Sequence, residues 1–175
     1  MMRELADAEL RLGEWAERRA ADVTLLRPTL IYGGEHDRNI SVVAVSLKKK
    51  RWLPIAGRGL RQPVHADDLA RLMTTLVARQ GRGFEVFDLG GGETLPYPDF
   101  VRRIASSAGA DPSIVQVPSP LLTTGLRMAH LFGRMKTVTP AMIRRQRMDL
   151  TVDDIPAREH LGWNPRPFRP SFSPH

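Results

Sequence analysis

Between residues 3 and 20, apolar positions recur at three- and four-residue spacing. Leu5, Ala8, Leu12, Trp15 and Ala16 fall on one side, while Glu4, Glu9, Arg11, Glu14, Glu17 and Arg18 lie mostly elsewhere. That period predicts one amphipathic helix carrying spaced charge pairs. The pattern then changes. Val23-Thr-Leu-Leu-Arg-Pro-Thr-Leu-Ile-Tyr-Gly33 is a β-branched apolar run that breaks at Arg27-Pro28, resumes, and stops at Gly33-Gly34. It predicts a buried strand over 23–31 whose carboxyl end opens into a loop. In open α/β sheets ligands sit just outside such strand ends, and a helix leading directly into a strand is half of a βαβ unit.

The polar loop from Gly33 to Asn39 leads into a predicted helix over 40–49, with Asp37 or Asn39 as its candidate cap. That helix start would leave backbone N–H groups suited to an anion. Trp52 to Ile55 reads as extended, ended by the turn Gly57-Arg-Gly59. Gln62 to Ala70 reads as an extended entry and then a helix to about Arg79, with Asp67 and Asp68 in its first turn, where carboxylates oppose the helix dipole favourably. Leu69, Leu72, Met73, Leu76 and Val77 form its apolar stripe. Phe84 to Leu89 is a second strand, closed by Gly90-Gly-Gly92. Beyond it, helices near 98–108, 120–132, 140–147 and 153–160 alternate with proline-rich turns, and a short strand over 114–117 precedes the second of them. Residues 162–168 read as extended and proline-locked, and 169–175 as frayed.

Composition narrows the function classes. A chain of 175 residues that is 42% hydrophobic suffices for one domain with a real core. It has no cysteine, which removes disulfides, zinc–thiolate sites and a thiol nucleophile. No stretch approaches the ~18 apolar residues of a spanning helix, and acids at Glu4 and Asp7 come too early for a signal peptide. A cytoplasmic protein without a membrane partner is expected. The net charge of +7 and the pI of about 10.7 raise the question of nucleic acid. The arginines are scattered in small knots, aromatics are only 6%, and no zinc-finger, RNP or KH motif appears. That pattern favours a solvated basic surface for anionic small molecules over nucleic-acid binding.

Candidate chemistry is sparse. The Gly90–Gly92 run lacks the G-x-G-x-x-G spacing and the following helix of a dinucleotide loop, so a tight strand-to-domain crossover is the better reading. His36, His65, His130, His160 and His175 show no ligand spacing, and no metal site is expected. Asp67 and Asp68 beside His65 are better explained by a helix start than by a metal. Arg61 follows a turn whose backbone can approach a ligand. By residue type alone it suits diphosphate oxygens as well as it suits an ordinary surface position.

Four segments carry a resemblance. Leu25-Leu-Arg-Pro-Thr-Leu-Ile-Tyr-Gly33, Pro63-Val-His-Ala-Asp-Asp-Leu-Ala70, Phe87-Asp-Leu-Gly-Gly-Gly-Glu-Thr-Leu95 and Leu161-Gly-Trp-Asn-Pro165 stand in the order of a known family. Together they resemble the NAD-dependent epimerase/dehydratase family, the extended short-chain dehydrogenases/reductases, most of which act on nucleotide sugars. The resemblance implies an α/β fold: a partial doubly wound, Rossmann-like nucleotide-binding domain plus a smaller, mostly helical C-terminal substrate domain. Residues 1–92 would be the C-terminal part of the dinucleotide-binding domain, with 33–62 contributing to the substrate side, and 93–175 the substrate-binding domain.

The same resemblance implies NAD or NADP as cofactor and a small-molecule substrate, such as a nucleotide sugar. Pro28, Thr29 and Ile31 would touch the nicotinamide end of the cofactor, largely through backbone. Leu30 and Asn39 would face the substrate, and Arg61 would bind its diphosphate. Leu30 stands where nucleotide-sugar enzymes often place asparagine, which favours a broader, reductase-like member. Family members also carry a G-x-x-G-x-x-G loop and a catalytic Tyr-x-x-x-Lys, and this sequence has neither. It therefore resembles the C-terminal half of a member, truncated in or just after the catalytic helix. No catalytic residue is assigned, and inactivity of this part alone is expected. A non-catalytic module for an anionic ligand or protein partner is the alternative. Half a sheet leaves an open edge and apolar faces, so a poorly behaved monomer or a homo-oligomer covering them is expected.

Overall fold

The computed structural model describes residues 2–33, 37, 40–48, 51–79, 83–131 and 139–172. α1 (Met2–Arg19) leads into β1 (Val23–Pro28) and, after a two-residue break, β2 (Ile31–Tyr32). α2 (Ile40–Lys48), β3 (Trp52–Ile55), β4 (Leu60–Arg61) and β5 (Val64–His65) follow, then α3 (Ala66–Val77) and β6 (Phe84–Leu89). The remaining elements are β7 (Leu95–Pro96), α4 (Tyr97–Ser107), β8 (Ser113–Gln116), α5 (Ser119–Leu131), α6 (Pro140–Arg145) and α7 (Ile155–Leu161).

The strands pair two by two. β1 runs parallel to β6 with Val23 opposite Phe84, and β2 runs parallel to β5 with Ile31 opposite Val64. β3 runs parallel to β8, so the strand expected near 114–117 has a partner far back in the chain. β4 and β7 make a short antiparallel pair. The run expected as one strand over 23–31 is two. The chain changes neighbours after Pro28: the Thr29 amide donates to the Leu89 carbonyl at 3.0 Å, and the Leu30 carbonyl accepts from the Val64 amide at 2.9 Å.

Two apolar cores result. One gathers Tyr32, Ile40, Ala44 and Leu47 with Phe100, Val101 and Ile104 of α4 and Phe168 near the C-terminus. The other gathers Val64, Leu72, Phe87 and Leu89 with Ala157 of α7 and Trp163. The first core joins α2, within the 33–62 stretch expected on the substrate side, to α4 and Phe168. In the second core the C-terminal segment returns, placing Ala157 and Trp163 against β5, α3 and β6.

Helix ends follow capping chemistry with one revision. α3 is capped by His65, whose Nδ1 accepts the Asp67 amide at 3.1 Å, not by either aspartate. Asp37 caps α2, accepting the Ile40 amide at 3.1 Å through Oδ1 while Oδ2 takes the Gly33 amide at 3.2 Å. The carboxylate thus occupies part of the helix start that the sequence suggested for an anion.

Candidate functional site

The elbow between β1 and β2 lies at the carboxyl ends of parallel strands, where the chain trades β6 for β5. Such a switch of neighbours opens a crevice in doubly wound sheets. Thr29 is locked there by its amide on Leu89 and by its hydroxyl, which donates to the Gln62 carbonyl. Leu30 is half-buried against the first core, and Tyr32 is fully buried. The Tyr32 hydroxyl accepts the Arg169 amide at 3.2 Å and lies 3.4 Å from the Pro167 carbonyl, and burial pushes its pKa up. Its ring meets those of His65 and Phe168 edge-on. The elbow is therefore a rigid, backbone-lined feature.

Gln62 was missed by sequence reasoning because a glutamine in an extended stretch carries no pattern. It is buried, its carbonyl accepts from Thr29 and from the Gly91 amide, and its Oε1 accepts the Val152 amide at 3.1 Å. One residue thus joins the elbow, the glycine run and the approach to α7.

Arg61 is 4% exposed. Its Nη1 donates to the carbonyls of Leu60 and Met148 at 2.7 and 2.8 Å, and its Nη2 donates to Arg145 at 2.6 Å. The guanidinium lies 5.0 Å from the centre of the Tyr97 ring. Burial draws its pKa down, with Tyr97 opposing and Arg145 reinforcing the shift. The preceding turn has a different purpose from the one expected. A Cβ at Gly57 would stand 2.5 Å from the Gln146 carbonyl oxygen, and one at Gly59 would stand 2.3 Å from that of Met148. These glycines admit the chain's own backbone after α6, not a ligand.

The glycine run behaves likewise. A Cβ on Gly90 would meet the Gln62 side chain at 2.2 Å, one on Gly91 the Pro63 carbonyl oxygen at 1.8 Å, and one on Gly92 the Pro165 carbonyl oxygen at 2.4 Å. Three backbone segments cross here in contact, and the run offers no cradle for a phosphate. Trp163 seals the crossing by donating Nε1–H to the Gly90 carbonyl at 2.8 Å. Next to it, buried Asp68 accepts both the amide and the Nε–H of Arg166 at 2.9 Å. Burial alone would raise the Asp68 pKa, but the bonds from Arg166 outweigh it and hold the carboxyl below its usual range. Sequence reasoning gave Asp68 a helix-start role; its main partner lies 98 residues away.

No family model matches the chain. UDP-glucose 4-epimerase of Vibrio cholerae is 26% identical over 162 residues, covering 91% of this chain and 47% of the relative. The UDP-glucose 4-epimerase of Thermotoga maritima, solved with UDP-glucose, superposes with a TM-score of 0.62 at 21% identity, covering 92% of this chain and 46% of that one. The dTDP-glucose 4,6-dehydratase of Streptomyces venezuelae, solved with NAD, gives 0.60 at 23% identity, covering 93% and 45%. The chain is similar to NAD-dependent epimerases and dehydratases, and those solved structures share its α/β fold. It spans about half the length of the curated relative that it matches.

The sites implied by the epimerase/dehydratase resemblance fall unevenly on the fold. Pro28, Thr29, Leu30 and Ile31 are brought together at the elbow. Arg61 connects to that elbow through its neighbour Gln62, but its guanidinium faces the 145–148 carbonyls. Asn39 lies outside the described residues. The elbow is backbone-rich and stands at a strand switch, whereas the glycine run leaves no room for a dinucleotide's pyrophosphate, because the chain itself fills it. Among the described residues, no group of three His, Asp or Glu side chains is placed to hold a metal ion, and no helix is long and apolar enough to cross a membrane.

Proposed function

We propose that this chain supplies the substrate-facing half of an NAD(P)-dependent oxidoreductase of the epimerase/dehydratase kind, acting on a nucleotide sugar or a related carbonyl or hydroxyl compound. The observation that carries the reading is the elbow at Pro28–Ile31, where parallel strands end and the chain changes neighbours. It is supported by relatives named for nucleotide-sugar chemistry and solved with UDP-glucose or NAD.

In this reading Pro28, Thr29 and Ile31 hold the nicotinamide end, Leu30 and Asn39 face the substrate, and Arg61 takes its diphosphate. When bound, the nicotinamide supplies the hydride acceptor and donor. The chain's own contribution is orientation, because an elbow with fixed amides presents one geometry to the ring. Arg61 would exchange its backbone carbonyls for phosphate oxygens, so the segment after α6 shifts when substrate binds. The chain has two tyrosines, and neither is followed four residues on by a lysine. Both side chains have structural partners: Tyr32 bonds to the C-terminal segment, and Tyr97 lies against Arg61. Proton transfer is assigned to no residue here, and the chain alone turns nothing over.

Isothermal titration of the chain with NADH, NADPH and UDP-glucose tests the reading. UDP-glucose binding that Arg61→Lys weakens at least tenfold is expected, since the lysine keeps the charge and loses the fork. Turnover of UDP-glucose by the purified chain would refute the inactivity. One observation favours the second reading, a module for an anionic ligand or partner. Exposed Arg58, Arg144, Arg145 and Arg147 converge where 57–59 meets 146–148, and among the described residues none forms a salt bridge. Salt-sensitive binding of short DNA without affinity for cofactor would decide for that reading.

A further inference from the structure

Charge is segregated along this chain. Residues 38–66 and 112–148 hold thirteen of the 26 lysines and arginines and none of the 19 aspartates and glutamates, which leaves the remainder net negative. The β3–β8 ladder joins the two acid-free stretches, with Trp52 opposite Ser113 and Pro54 opposite Val115. Such asymmetry gives one part of a molecule an attractive field for polyanions.

The two faces of this small sheet differ in character. Leu53 and Ile114, opposite each other in the ladder, pack against the first core, and Ile55 is buried. Alternation therefore puts Trp52, Pro54, Ser113 and Val115 on the other face. There Trp52 is 62% and Val115 is 45% exposed. Lys48 ends α2 and Arg51 immediately precedes β3. Both are exposed, and among the described residues neither forms a salt bridge. The sequence between them adds two more cations, Lys49 and Lys50.

The chemistry of this surface selects its partner. The Ser113 and Val117 amides donate to the Arg51 and Ile55 carbonyls at 3.0 and 2.8 Å, so the odd-numbered residues of β3 serve β8. The open edge belongs to Trp52 and Pro54, and Pro54 has no N–H to give, which disfavours an added strand. A partner meets the sheet by its face. Nucleic acid is held by rows of aromatic rings on which bases stack, whereas Trp52 is the only aromatic residue of the two strands. One exposed indole beside aliphatic side chains and unpaired cations matches the boundary between lipid headgroups and acyl chains.

We propose that the outer face of β3 and β8, carrying Trp52 and Val115 and flanked by Lys48 and Arg51, docks on an anionic lipid surface. Trp52 sits at headgroup level, and the cations meet lipid phosphates and carboxylates. A contact of this kind needs no spanning helix, so it is compatible with the lack of one among the described residues. It does not rest on the oxidoreductase reading.

Sedimentation of the 175-residue chain with vesicles of phosphatidylcholine and phosphatidylserine, set against phosphatidylcholine alone, tests the surface. The expected result is binding at least tenfold tighter to the mixed vesicles, weakened by added salt, with tryptophan emission shifted to the blue. Trp15→Phe keeps that shift and Trp52→Phe abolishes it. Reversing both cations with Lys48→Glu and Arg51→Glu should weaken binding at least tenfold and leave melting of the free chain unchanged, because both side chains are exposed. Absence of binding, equal binding to the two vesicle types, or a blue shift that persists in Trp52→Phe overturns the proposal. Binding that charge reversal leaves intact overturns it as well. So does tight retention of a single-stranded oligonucleotide without affinity for the vesicles, which marks the face as a nucleic-acid surface.

Discussion

The C-terminal segment 163–169 and strand β1 are both extended and both rich in apolar residues, yet their fates differ. In the first, Trp163 is 4% and Phe168 is 1% exposed. Backbone or side-chain donors of Trp163, Arg166, Phe168 and Arg169 each find an acceptor, on Gly90, Asp68, Glu93 and the Tyr32 hydroxyl respectively. In β1, the residues are more uniformly apolar and none is buried. Apolar content does not bury a strand; partners do, and the C-terminal segment brings its own hooks while β1 offers only an edge.

The comparison breaks most sharply at Gly91. Gly91→Ala places a methyl group 1.8 Å from the Pro63 carbonyl oxygen, between backbones that cannot yield cheaply. A loss of about 4 kcal/mol or more is expected, read as failure to accumulate folded protein or as collapse of the urea midpoint.

Asp68→Ala comes next. It removes the buried carboxylate that Arg166 grips at 2.8 Å and leaves only Asp67 at 3.7 Å, and a loss of about 3 kcal/mol is expected by chemical denaturation. The Asp68 carboxyl is held below its usual range in the folded state. Its stabilisation is therefore complete above the unfolded pKa, about 3.9, and is lost as pH falls through the folded value. The gap between the native chain and the variant should be constant from about pH 5 to 8 and shrink below about 4. A gap that grew on acidification would contradict the assignment.

Trp163→Phe keeps most of the packing and removes one hydrogen bond, leaving the Gly90 carbonyl without its donor. About 1 to 2 kcal/mol is expected from the shift in melting midpoint. The smallest effect belongs to the β1 side. Glu9→Ala breaks the pair with Arg27, whose side chain is 45% exposed, and should cost below about 1 kcal/mol. A loss as large as that of Asp68→Ala would mean that α1 and β1 are tied as tightly as the C-terminal segment, and the contrast would fail.

Local pattern made much of this molecule legible. The periods over 3–20 and 66–79 appear as α1 and α3, and Phe84–Leu89 is a strand with the expected bounds. The candidate site was legible in part: Pro28 to Ile31 do meet at one elbow, because they are adjacent in sequence. Arg61 was not legible, since its carbonyl partners lie as many as 87 residues away. The same holds for Gly57, Gly59 and Gly90 to Gly92, whose lack of a side chain was visible while the backbones filling that space were not.

The sequence by itself determined α1, α3 and the strand Phe84–Leu89, the order of the motifs, and the absence from these residues of a G-x-x-G-x-x-G loop and a Tyr-x-x-x-Lys pair. Those properties depend on residues within a few positions of each other. Only the tertiary structure decided that the segment after α7 binds the two cores together, that Arg61 is buried against its own chain, and that β1 keeps an open edge. Each depends on contacts between distant parts of the chain, such as Gly90 with Trp163 across 73 residues and Asp68 with Arg166 across 98. Such contacts leave no period in the sequence, because any pair of segments with matching donors and space could have made them.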